Sequence, residues 1–305
     1  MFNWSFHRPS SFISVTSLND LYLNTVNDVR KALGKPNKSF RQGVKTNKVF
    51  VIDFDGDVMA SQSKGLTYEI TSVICNADDG DEVLIRLTSP GGAAHAYGYA
   101  ASQIARLKAR GIRTTIAVDK VAASGGYMMA CVGDEIISAP FAIIGSIGVV
   151  AEFPNFFNFL QSLGIDYKQY TAGEFKRTVS PMGPVTEEGE KKFTQDLRDM
   201  YNLFRSHVSS NRPILLDNMD MIATGEHWSG TEALDLKLVD KIQTSEEFIL
   251  DGLKSSEFLK ITYIGDRKTL AQRLGADVAE AFADGLVKTF FNSFMNFVLS
   301  DKVVR

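Results

Sequence analysis

Ser124 stands in Lys120-Val-Ala-Ala-Ser-Gly-Gly-Tyr-Met-Met-Ala130, between an apolar strand pattern at 113–118 and a short helical pattern at 125–132. A small-residue turn from strand to helix lifts a serine to the helix start. There its hydroxyl is exposed and the unpaired N–H groups of the positive helix end lie close. Serine at such a point is either a nucleophile or an ordinary helix cap. Free serine is a weak nucleophile, so the first reading requires a base to take its proton. Fifty-two residues later Lys176 sits in Gly173-Glu-Phe-Lys-Arg-Thr178. A neutral lysine amine can fill that role in place of histidine.

A second glycine turn, Ser89-Pro-Gly-Gly92, follows the strand pattern at 82–88. Proline and paired glycines allow a tight turn whose N–H groups face a ligand without interfering side chains. A developing oxyanion needs such preorganised donors, and the Gly125 amide can supply another. The plainer reading of this turn is a strand-to-helix connection. Two such turns, each directly after a strand, favour a shared crevice, because the carboxyl ends of parallel strands converge.

The chain has four histidines, His7, His95, His207 and His227, and none falls between residues 96 and 206. His95 follows the Ser89–Gly92 turn and fits a structural or cleft-lining role better than that of a base. Lysine is normally charged, with a pKa near ~10.4, and burial disfavours its charged form. Lys176 follows an apolar strand pattern at 166–171 in a short polar turn, where an inward-facing amine would be desolvated. Spacing alone does not separate Lys176 from Lys168.

The 305 residues carry 33 Lys+Arg against 36 Asp+Glu, a net charge of −3, with 44% hydrophobic and 23% charged residues. These proportions suit a soluble globular protein. They offer no basic excess for nucleic acid, which is not an expected partner. Cys75 and Cys131 cannot form a disulfide framework and read as small buried core residues. The first ten residues lack the charged start and unbroken apolar core of a signal peptide. No run reaches the ~18 apolar residues of a membrane span. The expectation is a soluble chain, cytoplasmic or at the membrane periphery.

Residues 1–46 read as a helical arm and linker, its helix opening at Ser17 and stopping at Gly34-Lys-Pro36. Residues 47–245 form the core, with strand patterns at 49–54, 82–88, 113–118, 135–139 and 166–171. Helices are expected at 67–77, 94–110, 125–132 and 155–163. This alternation predicts a right-handed α/β core around a parallel sheet. Thr186 caps a long helix whose stripe Phe193, Leu197, Met200, Tyr201, Phe204 and Val208 packs against the core or a neighbouring subunit. Residues 246–305 read as helix, strand and a final amphipathic helix with an apolar face from Leu270 to Phe297. A docking face suits that helix better than a membrane surface, because its polar side lacks a basic excess.

The two glycine turns, Pro140-Phe-Ala-Ile-Ile-Gly-Ser-Ile-Gly-Val149, Thr171-Ala-Gly-Glu-Phe-Lys-Arg-Thr178 and Thr224-Gly-Glu-His-Trp-Ser-Gly230 together resemble the signal peptide peptidase A family of serine peptidases, nearest its SohB branch. The likeness runs over roughly residues 46–250 in a single order. It implies a ClpP/crotonase-like α/β fold, a Ser–Lys dyad, no cofactor and no metal. Ser124 matches the nucleophile, Lys176 the general base, and Ser146 the serine that orients the lysine. Gly125 and either Gly91 or Gly92 match the oxyanion donors. The family also implies homo-oligomeric rings with sites near subunit boundaries, acting on peptide or unfolded protein. The chain departs from the SohB pattern in showing no N-terminal membrane anchor and in carrying Lys237 where glycine is common, at a small expected local cost.

The expected function is a serine endopeptidase acting on unfolded or membrane-derived peptides. A capsid- or assembly-processing protease of the same family is the nearest alternative. A crotonase-type acyl-CoA enzyme would explain the glycine turns and leave the Ser–Lys pair idle. A non-catalytic ring scaffold would leave all three polar residues idle.

Overall fold

The run Val49-Phe-Val-Ile52 is apolar on both sides of the pleat, as a strand covered on both faces requires. In the computed structural model, which describes residues 12–39 and 47–265, it lies within β2 (Asn47–Asp55). The first strand, β1 (Ile13–Ser17), leads into α1 (Leu18–Ala32), and Ser17 caps that helix by accepting from the Asp20 amide. After β2 come α2 (Ser63–Asn76), β3 (Glu82–Thr88), α3 (Ala94–Lys108), β4 (Arg113–Val118), β5 (Val121–Ala123) and α4 (Gly125–Ala130). Then follow β6 (Glu135–Ser138), β7 (Ile143–Gly145), α5 (Phe157–Ser162) and α6 (Glu187–Asn211). A 3-10 turn, α7 (Met219–Ile222), β8 (His227–Ser229), α8 (Gly230–Asp235), β9 (Lys241–Ile242), α9 (Ser245–Gly252) and β10 (Ser256–Tyr263) complete the described elements.

Seven strands form one sheet in the order β1-β10-β2-β3-β4-β6-β9, parallel throughout except for β1 against β10. Alternate residues serve opposite cores. Phe50, Ile52, Phe54, Val83, Ile85 and Leu87 pack towards α2 and α3, and Val49, Val51, Leu84 and Ala117 join Leu18 and Ile249 on the other face. A smaller sheet, β5-β7-β8, stands beside the first. The expected α/β class is the one observed.

The sheet also takes in more of the chain than the expected core boundaries. Residues 13–17 and 256–263 pair as its edge, with Ile13 opposite Tyr263, and β10 lies against β2. Two compact units divide at Tyr263, and the second, Ile264–Arg305, lies almost wholly outside the described residues together with the expected apolar face of 270–297.

Two local expectations are corrected. Residues 166–171 form no strand; they have no ladder partner among the described residues, and Tyr170 is 89% exposed. Cys75 is exposed because the buried stripe of α2 runs through Leu66, Ile70 and Val73. The short strands β5, β7, β8 and β9 escape a periodicity argument, having only two or three residues each. Lys237 follows α8 at φ 64°, the left-handed position where glycine carries no side-chain penalty.

Candidate active site

β3 and β5 deliver the two glycine turns to one place. Ser89, just past β3, forms a parallel bridge with Ala122. Its amide donates to Val121 O at 2.8 Å, and its carbonyl accepts from the Ala123 amide at 3.0 Å. Gly91, at φ 94°, lies so close to Ser124 that a Cβ added there would come within 2.7 Å of both Ser124 Cβ and Gly125 N. The turn therefore requires glycine at this point.

Ser124 stands at the N-cap of α4 with φ 52° and ψ −118°, and its side chain makes no capping hydrogen bond. Its carbonyl accepts from the Met128 amide at 2.9 Å, starting the helix through the backbone. The cap reading fails, and the hydroxyl is left to the cavity that Ser124 lines. A strained, uncapped serine at a strand-to-helix turn is the geometry of an exposed nucleophile.

Ser146 enters the same cavity from β7. It follows Gly145 (φ 104°), itself sits at φ 51°, and donates its amide to Glu226 O at 2.7 Å. The cavity measures about 720 Å³. Gly92, Ser124, Gly125 and Ser146 line one part of it, and Val58, Met128, Val149, Val150, Met200, Tyr201 and Phe204 supply apolar wall. Gly91 turns its amide onto Ser89 Oγ at 3.1 Å, whereas Gly92 and Gly125 both line the cavity.

Lys176 is not brought to this cavity. It is exposed, in an irregular segment, and its amide donates to Gly173 O at 3.2 Å. The expected inward-facing, desolvated amine is absent from the single chain because no strand precedes it to direct it inwards. The surrounding stretch exposes Val150, Phe153, Phe156, Leu163, Ile165, Tyr170, Phe175, Met182 and Val185.

Other candidates recede. Cys131 is fully buried, and burial pushes its thiol up to about 12, which suppresses the thiolate. His95 is exposed on α3 and does not line the cavity. His207 reaches the region through Nε2, 2.9 Å from Met128 O. The sequence reading missed the 56–60 turn, whose Val58 lines the cavity. Its signal was Gly56 directly after β2, placed as the second turn is placed after β3.

The chain matches peptidase family S49 over residues 106–256 and that family's N-terminal region over residues 19–104. It is 52% identical over 233 residues to the probable protease SohB of Haemophilus influenzae, covering 76% of this chain and 65% of that protein. It is 48% identical over 244 residues to the probable protease SohB of Buchnera aphidicola subsp. Acyrthosiphon pisum, covering 80% of this chain and 72% of that protein. Among solved structures, the membrane-bound stomatin-specific protease 1510-N with a substrate peptide is similar at 15% identity and a TM-score of 0.46, covering 78% of this chain and 100% of that one. The shared sequence and the two family matches, taken in order along the chain, lead to one conclusion: the chain belongs to peptidase family S49.

Proposed function

We propose that the chain is a serine endopeptidase working through a Ser–Lys dyad, with peptide or unfolded polypeptide as substrate. The observation that carries this reading is Ser124 itself, left-handed, uncapped and lining the cavity with Gly92, Gly125 and Ser146. Neutral Lys176 takes the hydroxyl proton as Ser124 Oγ attacks a peptide carbonyl. The amides of Gly92 and Gly125 hold the resulting oxyanion. Gly92 is preferred to Gly91, whose amide is already bound to Ser89 Oγ. The protonated lysine donates to the leaving amine, and water then releases the acyl-enzyme. Ser146 accepts a hydrogen bond from the lysine and orients it. The apolar wall suits substrates with apolar side chains near the scissile bond, including membrane-derived peptides.

Lys176 reaches Ser124 in a homo-oligomer, where a neighbouring copy supplies the amine. Two observations support this arrangement: Lys176 stands outside its own chain's cavity, and the stretch 150–185 carries nine exposed large apolar residues. An apolar surface of that kind marks a protein contact.

The test is fragment mass spectrometry on unfolded polypeptides with wild type, Ser124→Ala and Lys176→Ala. Cleavage by wild type alone is expected. Full cleavage by Ser124→Ala would sink the peptidase reading.

A further inference from the structure

Tyr97 belongs to α3, is 0% exposed, and touches both glycine turns. Its hydroxyl donates to Asp57 O at 2.7 Å and lies 2.6 Å from Ser89 Oγ. Ser89, also 0% exposed, accepts from the Gly91 amide at 3.1 Å. A carbonyl only accepts, so the single phenolic proton goes to Asp57 and Ser89 must donate to Tyr97. The three bonds therefore run in one direction, from Gly91 N–H through Ser89 and Tyr97 to the Asp57 carbonyl. The Tyr97 ring also fills the space beside Gly125, where an added Cβ would come within 2.4 Å of Tyr97 Cγ.

We propose that Tyr97, acting through Ser89, is the positioning residue of the oxyanion site. The relay fixes the Gly91 amide inwards, so that the next peptide presents the Gly92 amide to the cavity. The ring supports the Gly125 peptide from beneath. One buried side chain thus sets both donors, and through Asp57 O it also anchors the 56–60 turn that brings Val58 to the cavity wall. Burial pushes the phenol up and outweighs the opposing effect of the Ser89 hydrogen bond, so Tyr97 remains a donor. An oxyanion site gains its effect from donors fixed before the charge develops, and a buried, one-directional relay supplies that fixation.

The proposal rests on the peptidase reading, and its test separates the two. Tyr97→Phe keeps the ring and removes only the hydroxyl; Ser89→Ala removes the middle of the relay. Each is compared with wild type for kcat and KM on an unfolded peptide and for inhibition by a peptide aldehyde, whose serine adduct carries an oxyanion. Amide exchange across residues 89–93 is followed in parallel. Removing one oxyanion donor costs about 10²–10³ in kcat, so a misdirected donor should cost about tenfold or more. KM should hold within about twofold while aldehyde inhibition weakens in step with kcat. The double variant should be no slower than the worse single one, because both act through one relay. Exchange at residues 89–93 should quicken whether or not the chain cleaves peptides. Unchanged kcat, or a loss confined to KM and thermal stability, would overturn the positioning role. Cleavage by Ser124→Ala would instead overturn the peptidase reading, leaving the exchange data to judge the relay alone.

Discussion

The Ser124 amide donates to the Gly145 carbonyl at 2.8 Å, which ties the peptide leading into one left-handed serine to the peptide leading into another. Gly145 makes that tie at φ 104°, and a Cβ there would come within 2.7 Å of the Trp228 ring. Gly145→Ala should therefore destabilise the protein by more than about 1 kcal/mol. It should also shift Ser146 and Ser124 together. Thermal unfolding and the rate at which a fluorophosphonate labels Ser124 check both effects. Wild-type labelling in this variant would show that the two serines are not coupled through Gly145.

Ser124 holds φ 52° and ψ −118°, a conformation that costs a non-glycine residue of order 1–3 kcal/mol. Glycine adopts such angles without a Cβ penalty. Ser124→Gly should abolish cleavage yet raise stability above that of Ser124→Ala, which keeps the Cβ. Denaturant midpoints of the two inactive variants make the comparison. A glycine variant less stable than the alanine variant would contradict strain at this residue.

How far the sequence revealed these features depends on the range of the forces involved. The strands β2, β3 and β4 were legible because burial on both faces makes them continuous apolar runs. Ser124 and Ser146 were legible only as motif residues; their proximity comes from the bond between Ser124 N and Gly145 O across different strands. Tyr97 resembled any core aromatic on an apolar helix face. Its two hydroxyl partners, Ser89 and Asp57, lie 8 and 40 residues away along the chain. Lys176 was assigned an inward orientation from a strand pattern at 166–171, but residues in that pattern find no ladder partner among the described residues. Apolar residues that the chain leaves exposed, as Ile165 and Tyr170 are, look in sequence like residues of a core.

Glu69 provides a pH-dependent check on the fold away from the cavity. Its side chain, on a residue 7% exposed, accepts from the Tyr263 amide at 2.7 Å. Burial pushes its carboxyl up; the Tyr263 hydrogen bond opposes this, and nearby Asp53 adds a smaller push. A raised folded-state pKa means the folded chain holds the proton more tightly than the unfolded one. That contribution is fully present below the ordinary glutamate value of about 4.3 and is lost as pH rises through the folded value. Glu69→Gln keeps an acceptor for Tyr263 and removes the ionisation. The variant's melting temperature should match wild type in acid and exceed it at neutral pH. A gain that is independent of pH would remove ionisation as the cause.

Because Lys176 stands outside the cavity of its own chain, the proposed Ser–Lys dyad has a definite signature if it forms between copies. Ser124→Ala and Lys176→Ala should each be inactive alone, since every site lacks either the nucleophile or the base. In a mixed assembly, a Lys176→Ala copy still offers Ser124, and its Ser124→Ala neighbour still offers Lys176. Random mixing of equal amounts into a symmetric ring places the intact pair at about one site in four. Unfolding the two variants together and refolding the mixture should therefore restore about a quarter of wild-type cleavage. Refolding each alone should restore none. An inactive mixture that assembles normally would mean that the lysine serves the serine of its own chain, and that the segment around residues 171–178 folds inwards to reach it.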